Sequence, residues 1–302
     1  MIECLNLTKN YGTLAAVSDF SFQLHEHEFI SILGPSGCGK STLLRLIAGL
    51  EVPSEGQVFL QKKEISGKKI ILPPERRKFG MIFQDFALFP HLSVENNIAF
   101  GVTCSKSEKQ ERVKELLELV SLRHLAEKMP HQISGGEQQR IAVARALAPR
   151  PRMILMDEPF NNLDYQLRLQ LRRDIWDILK HEGVATILVT HDQVEAITFA
   201  DRVLLMHKGT LVQSGTPPEI YQHPQTIWAS SFVGEANHLK VEWQDSSLYS
   251  PFGLLDVPAE IGRETRIVMV RPEDFFLESR KDDEANGIVK TVDFSGSVQI
   301  VG

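Results

Sequence analysis

The stretch Gly34-Pro35-Ser36-Gly37-Cys38-Gly39-Lys40-Ser41 fits the phosphate-binding pattern G-x-x-x-x-G-K-[ST]. It follows an apolar run at residues 29–33, which predicts a strand, and precedes a helical pattern at residues 42–48. Glycines let the backbone wind around phosphate groups, and a helix beginning near Gly39 directs the positive end of its dipole at them. The pattern predicts a nucleoside triphosphate bound by the whole loop and Thr42, with Lys40 on the β- and γ-phosphates and Ser41 on Mg²⁺.

Composition places the chain among ordinary globular proteins. Its 302 residues are 42% hydrophobic and 24% charged, which suits about two domains. A net charge of −6 gives no general reason to expect nucleic-acid binding. Cys4, Cys38 and Cys104 form no C-x-x-C pair, so we expect a reducing compartment and neither a disulfide framework nor a zinc site. Because the first residues lack a signal-peptide pattern and no apolar run reaches about 18 residues, work at a membrane would need a partner.

The region from about residue 85 to 150 is predicted to be mostly helical. Its clearest part is residues 110–121, where apolar side chains recur at i, i+3, i+4 and i+7 and form one face. Since strand patterns flank the region, we expect a helical subdomain inserted between strands of a nucleotide-binding sheet. Residues 86–92 are unusually apolar for a loop, which suits either a groove for another protein's helix or burial within the domain.

A second anion-binding helix terminus is predicted at Ser134-Gly135-Gly136. Ser134 and Glu137 have the spacing of a capping box, which by itself indicates a well-capped helix. The two glycines also leave backbone N–H groups open to an anion. One nucleotide does not need two such termini, so the pair predicts two copies of the chain, each closing over the nucleotide held by the other.

Polar side chains follow the ends of several apolar strand patterns. Parallel strands bring such positions to one edge of a sheet, where α/β proteins bind their ligands. There Asp157 can hold Mg²⁺ through its water shell, and Glu158 can orient or deprotonate an attacking water. The positions are the phosphate loop after residues 29–33, Gln84 after 79–83, Asp157 and Glu158 after 153–156, and His191 after 185–190.

The order of these motifs resembles that of the ATPase subunit of an ABC transporter. The order is the phosphate loop, Gln84, Ser134-Gly135-Gly136, Asp157-Glu158, Asn162-Leu163-Asp164 and His191. The resemblance implies an α/β fold, with a P-loop ABC ATPase domain over residues 1–235 and an inserted helical subdomain over about 85–150. A P-loop kinase or GTPase would not explain Ser134-Gly135-Gly136 or His191.

The resemblance also implies a role for each motif. Glu158 would be the catalytic base, His191 a positioning switch on the γ-phosphate, and Gln84 a link from metal and water to the membrane partner. Mg²⁺ would be held near Ser41, Gln84 and Asp157. Tyr11, which the sequence places in the loop after the first strand, would stack on the adenine. Ser134, Gly135 and Gly136 would contact the ATP of the opposite subunit. Asp164 would lie at the subunit seam.

Two features depart from the family pattern. Ile133 and Glu137 stand where Leu and Gln are common, and residues 160–164 read Phe-Asn-Asn-Leu-Asp in place of a Ser-Ala-Leu-Asp type. Neither change removes the hydroxyl, the glycines or the seam carboxylate. Glu137 does place a negative charge within one helical turn of a triphosphate, which opposes binding there.

Residues 236–302 are predicted to form a β-rich domain. Strand patterns lie near residues 238–243, 266–270, 275–278 and 287–292. With its turn at Arg271-Pro272-Glu273, this tail resembles the small oligonucleotide-fold-like (TOBE) domain of importer ATPases. It shows no basic face interleaved with aromatic residues, so we expect a regulatory, dimer-supporting module rather than a nucleic-acid binder. The sequence leads us to expect that this domain is incomplete or unusually small.

The resemblance implies an importer assembly. A homodimer of ATPase subunits would act at the cytoplasmic face of the inner membrane, with two transmembrane permease subunits and an extracytoplasmic substrate-binding protein. The likeness over residues 130–163 and 232–237 is greatest to ferric-iron importers, while polyamine, maltose and sulfate importers share most motifs. A soluble ABC-type clamp acting in DNA repair or translation is the alternative of another class. Such proteins carry a coiled-coil insertion or two cassettes, neither of which this sequence has.

Overall fold

The computed structural model describes residues 1–161, 165–245, 247–250, 253–255, 262, 264–274, 292–295 and 298–301. They fall into two compact units, residues 1–225 and 226–302. Asp164 therefore lies outside the described residues. Within the described chain, no helix combines the length and the apolar character needed to cross a bilayer.

The first unit contains strands β1 to β10 and helices α1 to α8. The strands are β1 (Ile2–Tyr11), β2 (Leu14–Leu24), β3 (Phe29–Leu33), β4 (Glu55–Leu60), β5 (Lys63–Ser66), β6 (Phe79–Ile82), β7 (Met153–Asp157), β8 (Ala185–Thr190), β9 (Arg202–His207) and β10 (Thr210–Gly215). The helices are α1 (Lys40–Ala48), α2 (Pro74–Arg77), α3 (Val94–Ala99), α4 (Lys106–Leu119), α5 (Gly135–Leu147), α6 (Tyr165–His181), α7 (Gln193–Phe199) and α8 (Pro217–Gln222). Short 3₁₀ turns lie at Arg123–Leu125 and Pro130–Gln132.

A six-stranded sheet in the order β10-β9-β3-β8-β7-β6 forms the centre of this unit. Strands β9, β3, β8, β7 and β6 run parallel, and β10 pairs antiparallel to β9. Every residue of β8 is buried, as expected for a strand covered by helices on both faces of a parallel sheet. The predicted α/β fold is confirmed. A second, antiparallel sheet has the order β2-β1-β4-β5.

The helical insertion leaves the sheet after β6 and returns at β7, which is the strand that β6 pairs with. Helices α3, α4 and α5 lie in this insertion. The apolar face predicted on α4 is buried, with Val113, Leu116, Leu117 and Val120 all in one hydrophobic core. The insertion therefore changes the surface beside β6 without breaking the parallel sheet.

The second unit is small and rich in strands. Its described elements are α9 (Ile227–Val233), β11 (Asn237–Lys240), β12 (Glu242–Gln244), β13 (Ser247–Ser250), β14 (Gly253–Leu255), β15 (Ile267–Val270), β16 (Val292–Ser295) and β17 (Val298–Val301). The strands pair as β11-β15, β12-β13-β14 and β16-β17. The predicted strands near 238–243 and 266–270 are present, whereas residues 275–278 and 287–291 lie outside the described residues.

The second unit begins at Thr226, before the boundary predicted at residue 235. Arg271 gives the physical reason. Its guanidinium is 4% exposed and donates hydrogen bonds to the carbonyl oxygens of Ser230, at 3.0 Å, and Glu235, at 2.8 Å. These bonds tie the segment carrying α9 to the turn at Pro272–Asp274, so the segment belongs with the strands that follow it.

A buried arginine caps the helix that follows the phosphate loop. Arg77 is 1% exposed and donates to the carbonyl oxygens of Ile47, at 2.8 Å, and Leu46, at 3.4 Å, in the last turn of α1. It also donates to Leu72 and Ser66. Burial lowers the pKa of Arg77 to about 10, so the group is charged at neutral pH. A cation at this end of α1 is stabilised by the helix dipole and by the carbonyl oxygens of the last turn.

We predict that Arg77→Met lowers the free energy of unfolding by about 3 kcal/mol, because several buried carbonyl and hydroxyl groups lose a charged donor. Urea unfolding followed by circular dichroism measures the change. Arg76→Met is the matched control, since Arg76 is exposed and its replacement should change stability by less than about 0.5 kcal/mol. Equal stability of the two variants would contradict the capping role.

Candidate active site

The phosphate loop occupies residues 34–39, between β3 and α1. Two of its glycines lie too close to neighbouring backbone to carry a side chain. A Cβ atom on Gly34 would lie 2.2 Å from the carbonyl oxygen of Met206, and one on Gly39 would lie 2.0 Å from that of Ala16. Gly39 also has a φ of +109°, a conformation that favours glycine. The loop is therefore packed against β2 and β9, and its shape requires glycine at both positions.

Lys40 begins α1 with its side chain folded into the loop. Its ammonium donates to the carbonyl oxygens of Gly34, at 2.9 Å, and Pro35, at 3.0 Å, and it lies 3.6 Å from a carboxylate oxygen of Glu158. Only 3% of the residue is exposed. A buried charge is stabilised only by close partners of opposite polarity. The loop thus holds a desolvated positive charge beside Glu158, which suits the binding of a triphosphate.

Ser41 and Asp157 form an oxygen pair beside the loop. The hydroxyl of Ser41 donates to Oδ1 of Asp157 at 2.7 Å. Such hard oxygens suit Mg²⁺, which commonly takes one or two protein ligands and completes its octahedron with phosphate and water oxygens. Across the described ranges, no cluster of three or more His, Cys, Asp or Glu side chains could hold a metal ion. The two residues therefore fit a nucleotide-bound Mg²⁺ better than an ion held by protein alone.

Glu158 and His191 are in direct contact. Glu158 follows β7 with a φ of +46°, and its amide donates to the carbonyl oxygen of Val189 on β8 at 3.0 Å. Its Oε2 lies 3.0 Å from Nδ1 of His191 and also accepts a hydrogen bond from the side-chain amide of Asn161. Because an ionised carboxylate only accepts hydrogen bonds, Nδ1 of His191 carries the proton in this contact. The arrangement is a candidate general base held by a histidine and an amide.

Gln84 lies just beyond the end of β6, the strand that pairs with β7. Its side chain is exposed. Four parallel strands of one sheet, β3, β6, β7 and β8, carry these groups at their ends. The groups are, in the same order, the phosphate loop, Gln84, the two acids and His191. The prediction that these groups share one sheet edge is confirmed.

The predicted position of Tyr11 is wrong in one respect. Tyr11 is the last residue of β1, where it pairs with Leu14, and not part of the turn between β1 and β2. Its ring is 46% exposed. The ammonium of Lys9 lies 5.0 Å from the ring centroid and 2.9 Å from a carboxylate oxygen of Glu51. The pattern of β1 fades near its end, so its last residues could not be assigned from periodicity.

Ser134 caps α5 with the predicted capping box. Its amide and its hydroxyl each donate to the Glu137 carboxylate at 2.7 Å, and the amide of Glu137 lies 3.4 Å from the Ser134 hydroxyl. Hydrogen bonds from Ser134 lower the pKa of Glu137, so this carboxylate is ionised at neutral pH. Ser134 is exposed, whereas Gly136 is buried in the first turn. An anion approaching this terminus must therefore draw the Ser134 hydroxyl away from Glu137.

Sequence reasoning missed Asn161 and Arg172. Asn161 holds Glu158, and Arg172 on α6 is 3% exposed and bonded to both Asp192 and Glu195. The spacing Asp192-x-x-Glu195 was a usable signal, because it matches a capping box directly after His191. Asp192 does cap α7, but the Glu195 side chain contacts Thr190 and Arg172 instead of the cap.

The fold and the site define the chain as a P-loop ATPase of ABC type, and comparison with known proteins agrees. The sequence profile of the ABC transporter family matches residues 17–161. The chain is 42% identical over 293 residues to the Fe(3+) ions import ATP-binding protein FbpC of Pseudomonas fluorescens, covering 96% of this chain and 83% of the relative. It is also 42% identical over 301 residues to the putrescine transport ATP-binding protein PotG of Escherichia coli, covering 95% and 78%.

A solved structure shares the fold. The dimeric structure of MJ0796, a bacterial ABC transporter cassette, matches with a TM-score of 0.63 and 33% identity, covering 72% of this chain and 99% of the cassette. The chain therefore belongs to the ABC transporter family. It is an ATP-binding ATPase subunit of that family, as the order of its motifs predicts.

Cys38 yields a test of the geometry of the loop. The residue is 8% exposed, and burial raises the pKa of its thiol. Since the thiolate is the reactive species, we predict that N-ethylmaleimide at pH 7 modifies Cys38 at least about tenfold more slowly than the exposed Cys104, and that the rate at Cys38 increases with pH. Peptide mass spectrometry measures both rates in one sample. Equal rates at the two cysteines would contradict the buried position of Cys38.

Proposed function

We propose that this chain is the ATP-hydrolysing subunit of an ABC importer, and that two copies close around two ATP molecules during each cycle. The observation that carries the proposal is the line of contacts from Lys40 through Glu158 to His191. It combines a phosphate-binding cation, a general base and a histidine at one sheet edge. Two relatives, one named an Fe(3+) ions import ATP-binding protein and one a putrescine transport ATP-binding protein, support the same function.

Each residue at this edge has a role in the proposal. Lys40 binds the β- and γ-phosphates, and its ammonium exchanges carbonyl oxygens for phosphate oxygens. Ser41 and Asp157 would hold Mg²⁺, with Gln84 completing its surroundings, and the bound ion would supply positive charge next to the phosphates. Glu158 orients and deprotonates the attacking water. Tyr11 stacks on the adenine with its exposed ring.

His191 has a constraint of its own. Its Nδ1 donates to Glu158, so in the neutral ring Nε2 carries a lone pair. A phosphate oxygen also accepts, and so it needs a donor. A neutral His191 ring can therefore donate to the γ-phosphate only after it leaves Glu158. This exchange of partners requires the γ-phosphate, which makes His191 suited to report whether ATP or ADP is bound.

The second half of each site comes from the other copy. Ser134, Gly135 and Gly136 at the start of α5 bind the γ-phosphate held by the partner's loop, and Asp164 lies at the seam between copies. The dimeric structure of the similar cassette MJ0796 supports this assembly. Glu137 makes the approach of phosphate conditional, because the Ser134 hydroxyl has to exchange one acceptor for another.

The partners in the membrane contact the surface beyond Gln84. In this region Phe86 and Leu88 are half-buried against the core, while Phe83 is 38% exposed and Phe100 is 63% exposed. Burial thus accounts for part of the apolar loop, and the exposed Phe83 and Phe100 flank it. We propose that two permease subunits dock there and hold the ATPase at the cytoplasmic face of the inner membrane. An extracytoplasmic substrate-binding protein supplies the cargo, and the β-rich tail, residues 236–302, supports and regulates the dimer.

Ferric iron is the proposed cargo. The likeness over residues 130–163 and 232–237 favours it. A polyamine is the second candidate, because a putrescine transport relative has the same 42% identity as an Fe(3+) import relative. The ATPase does not contact the cargo in this scheme. Its residues therefore distinguish iron from a polyamine only through their similarity to relatives of known name.

We predict that Glu158→Gln traps a dimer in the presence of Mg-ATP, because the variant keeps a hydrogen-bonding side chain at the site but loses the base. Size-exclusion chromatography with light scattering at micromolar protein measures the mass. The double variant Lys40→Ala/Glu158→Gln is the control and should remain monomeric, since it loses the phosphate contact. A monomer for both variants would contradict the two-copy mechanism.

The cargo is tested by uptake in source cells that carry Glu158→Gln in place of the wild type. We predict that uptake of radiolabelled ferric iron falls to background, while uptake of labelled putrescine and maltose is unchanged. Loss of putrescine uptake alone would support the proposed ATPase function and identify putrescine, not ferric iron, as the cargo. Unchanged uptake of all three, with ATPase activity intact in the purified wild type, would favour the soluble clamp.

A further inference from the structure

An ionic cluster of Arg172, Asp192 and Glu195 lies next to His191. Arg172 on α6 donates from Nη2 to Oδ2 of Asp192 at 2.6 Å and to Oε1 of Glu195 at 2.5 Å. Arg172 is 3% exposed and Glu195 is 1% exposed. Charges this far from water are stabilised only by close and well-oriented partners. The two contacts of Nη2 connect α6 to the start of α7.

The two residues on either side of His191 are both part of this cluster. The hydroxyl of Thr190 donates to Oε2 of Glu195 at 2.5 Å, and the amide of Asp192 donates back to the same hydroxyl at 3.0 Å. Oδ1 of Asp192 accepts from the amide of Glu195 at 3.1 Å. His191 thus has its backbone held on both sides, although its own side chain is exposed.

The same arginine also contacts the segment that follows Glu158. Its guanidinium carbon lies 5.9 Å from the ring centroid of Phe160, and Phe160 is 3% exposed. The neighbouring Asn161 binds the Glu158 carboxylate. Arg172 consequently lies between two segments, one that carries the general base and one that carries its histidine partner.

We propose that Arg172 is a positioning residue that sets the distance between Glu158 and His191. It acts through Asp192 and Thr190 on one side and through Phe160 on the other. Without it, the buried Glu195 carboxylate and the half-buried Asp192 carboxylate would lack their cationic partner, so the Thr190–Asp192 segment would move toward water. The Oε2 to Nδ1 contact, 3.0 Å here, would then lengthen.

This inference rests on the proposed hydrolysis at Glu158, and it predicts a loss in kcat with little change in ATP binding. Misplacing a catalytic group by about 1 Å can cost roughly 100-fold in rate. For Arg172→Gln we expect kcat to fall by about ten- to one-hundred-fold while KM for ATP stays within about threefold, because the phosphate loop is untouched. Arg172→Lys keeps the charge but cannot bridge both carboxylates in the same way. Its kcat should therefore lie between those of the wild type and Arg172→Gln.

The test uses the full chain with steady-state ATPase assays and amide hydrogen exchange by mass spectrometry. Arg173→Gln is the matched control, since Arg173 is the exposed neighbour on the same helix. We expect faster exchange at residues 158–161 and 190–195 in the Arg172 variants and unchanged exchange at residues 34–41. If Arg172→Gln fails to fold, Arg172→Lys decides by the same readouts.

Wild-type kcat and KM in Arg172→Lys and Arg172→Gln would overturn the positioning role, as would exchange that rises equally across the whole first unit. A wild-type chain that hydrolyses no ATP would overturn the proposed function instead, and the exchange pattern would still report whether Arg172 holds the two segments. The two failures are therefore distinguishable.

Discussion

The in-register parallel pairing of three strands is the constraint on which the site depends. Leu33 pairs with Thr190, and Asp157 pairs with Val189. Neighbouring strands lie about 4.8 Å apart, so the residues that follow these three strands begin within about 10 Å of one another. The phosphate loop, Glu158 and His191 meet at the sheet edge because their strands end at the same level. A slip of one residue in β7 would turn each of its side chains to the opposite face of the sheet and remove Glu158 from the site.

Local features then convert this edge into a site with a defined charge. The glycines of the loop allow the backbone to approach β2 and β9 closely, and Arg77 caps the far end of α1. The Lys40 ammonium is held between loop carbonyls and Glu158. A positive charge that is buried and preorganised interacts with phosphate more strongly than one in water. The same burial raises the pKa of the Cys38 thiol.

Much of this site could be predicted from the sequence, because its signals are local. The phosphate loop, the capping box at Ser134 and the acids after β7 are each recognisable within a few residues. Arg172 and Asn161 could not be predicted, because their importance depends on contacts with residues distant in the chain or on a side-chain rotamer. The end of β1 at Tyr11 and the start of the second unit at Thr226 were likewise set by long-range pairing and by Arg271. The predicted seam residue Asp164 stays a prediction.

The central claim is that each ATP site is built from two copies of the chain. Mixing two inactive variants tests it directly: Lys40→Ala loses the loop half of every site, and Ser134→Arg blocks the other half. In a mixed dimer one site has both defects and the other has none. We predict that the equimolar mixture recovers ATPase activity, up to about a quarter of the wild-type rate for random pairing of equivalent sites. Activity of the mixture equal to the mean of the separate variants would contradict the shared site.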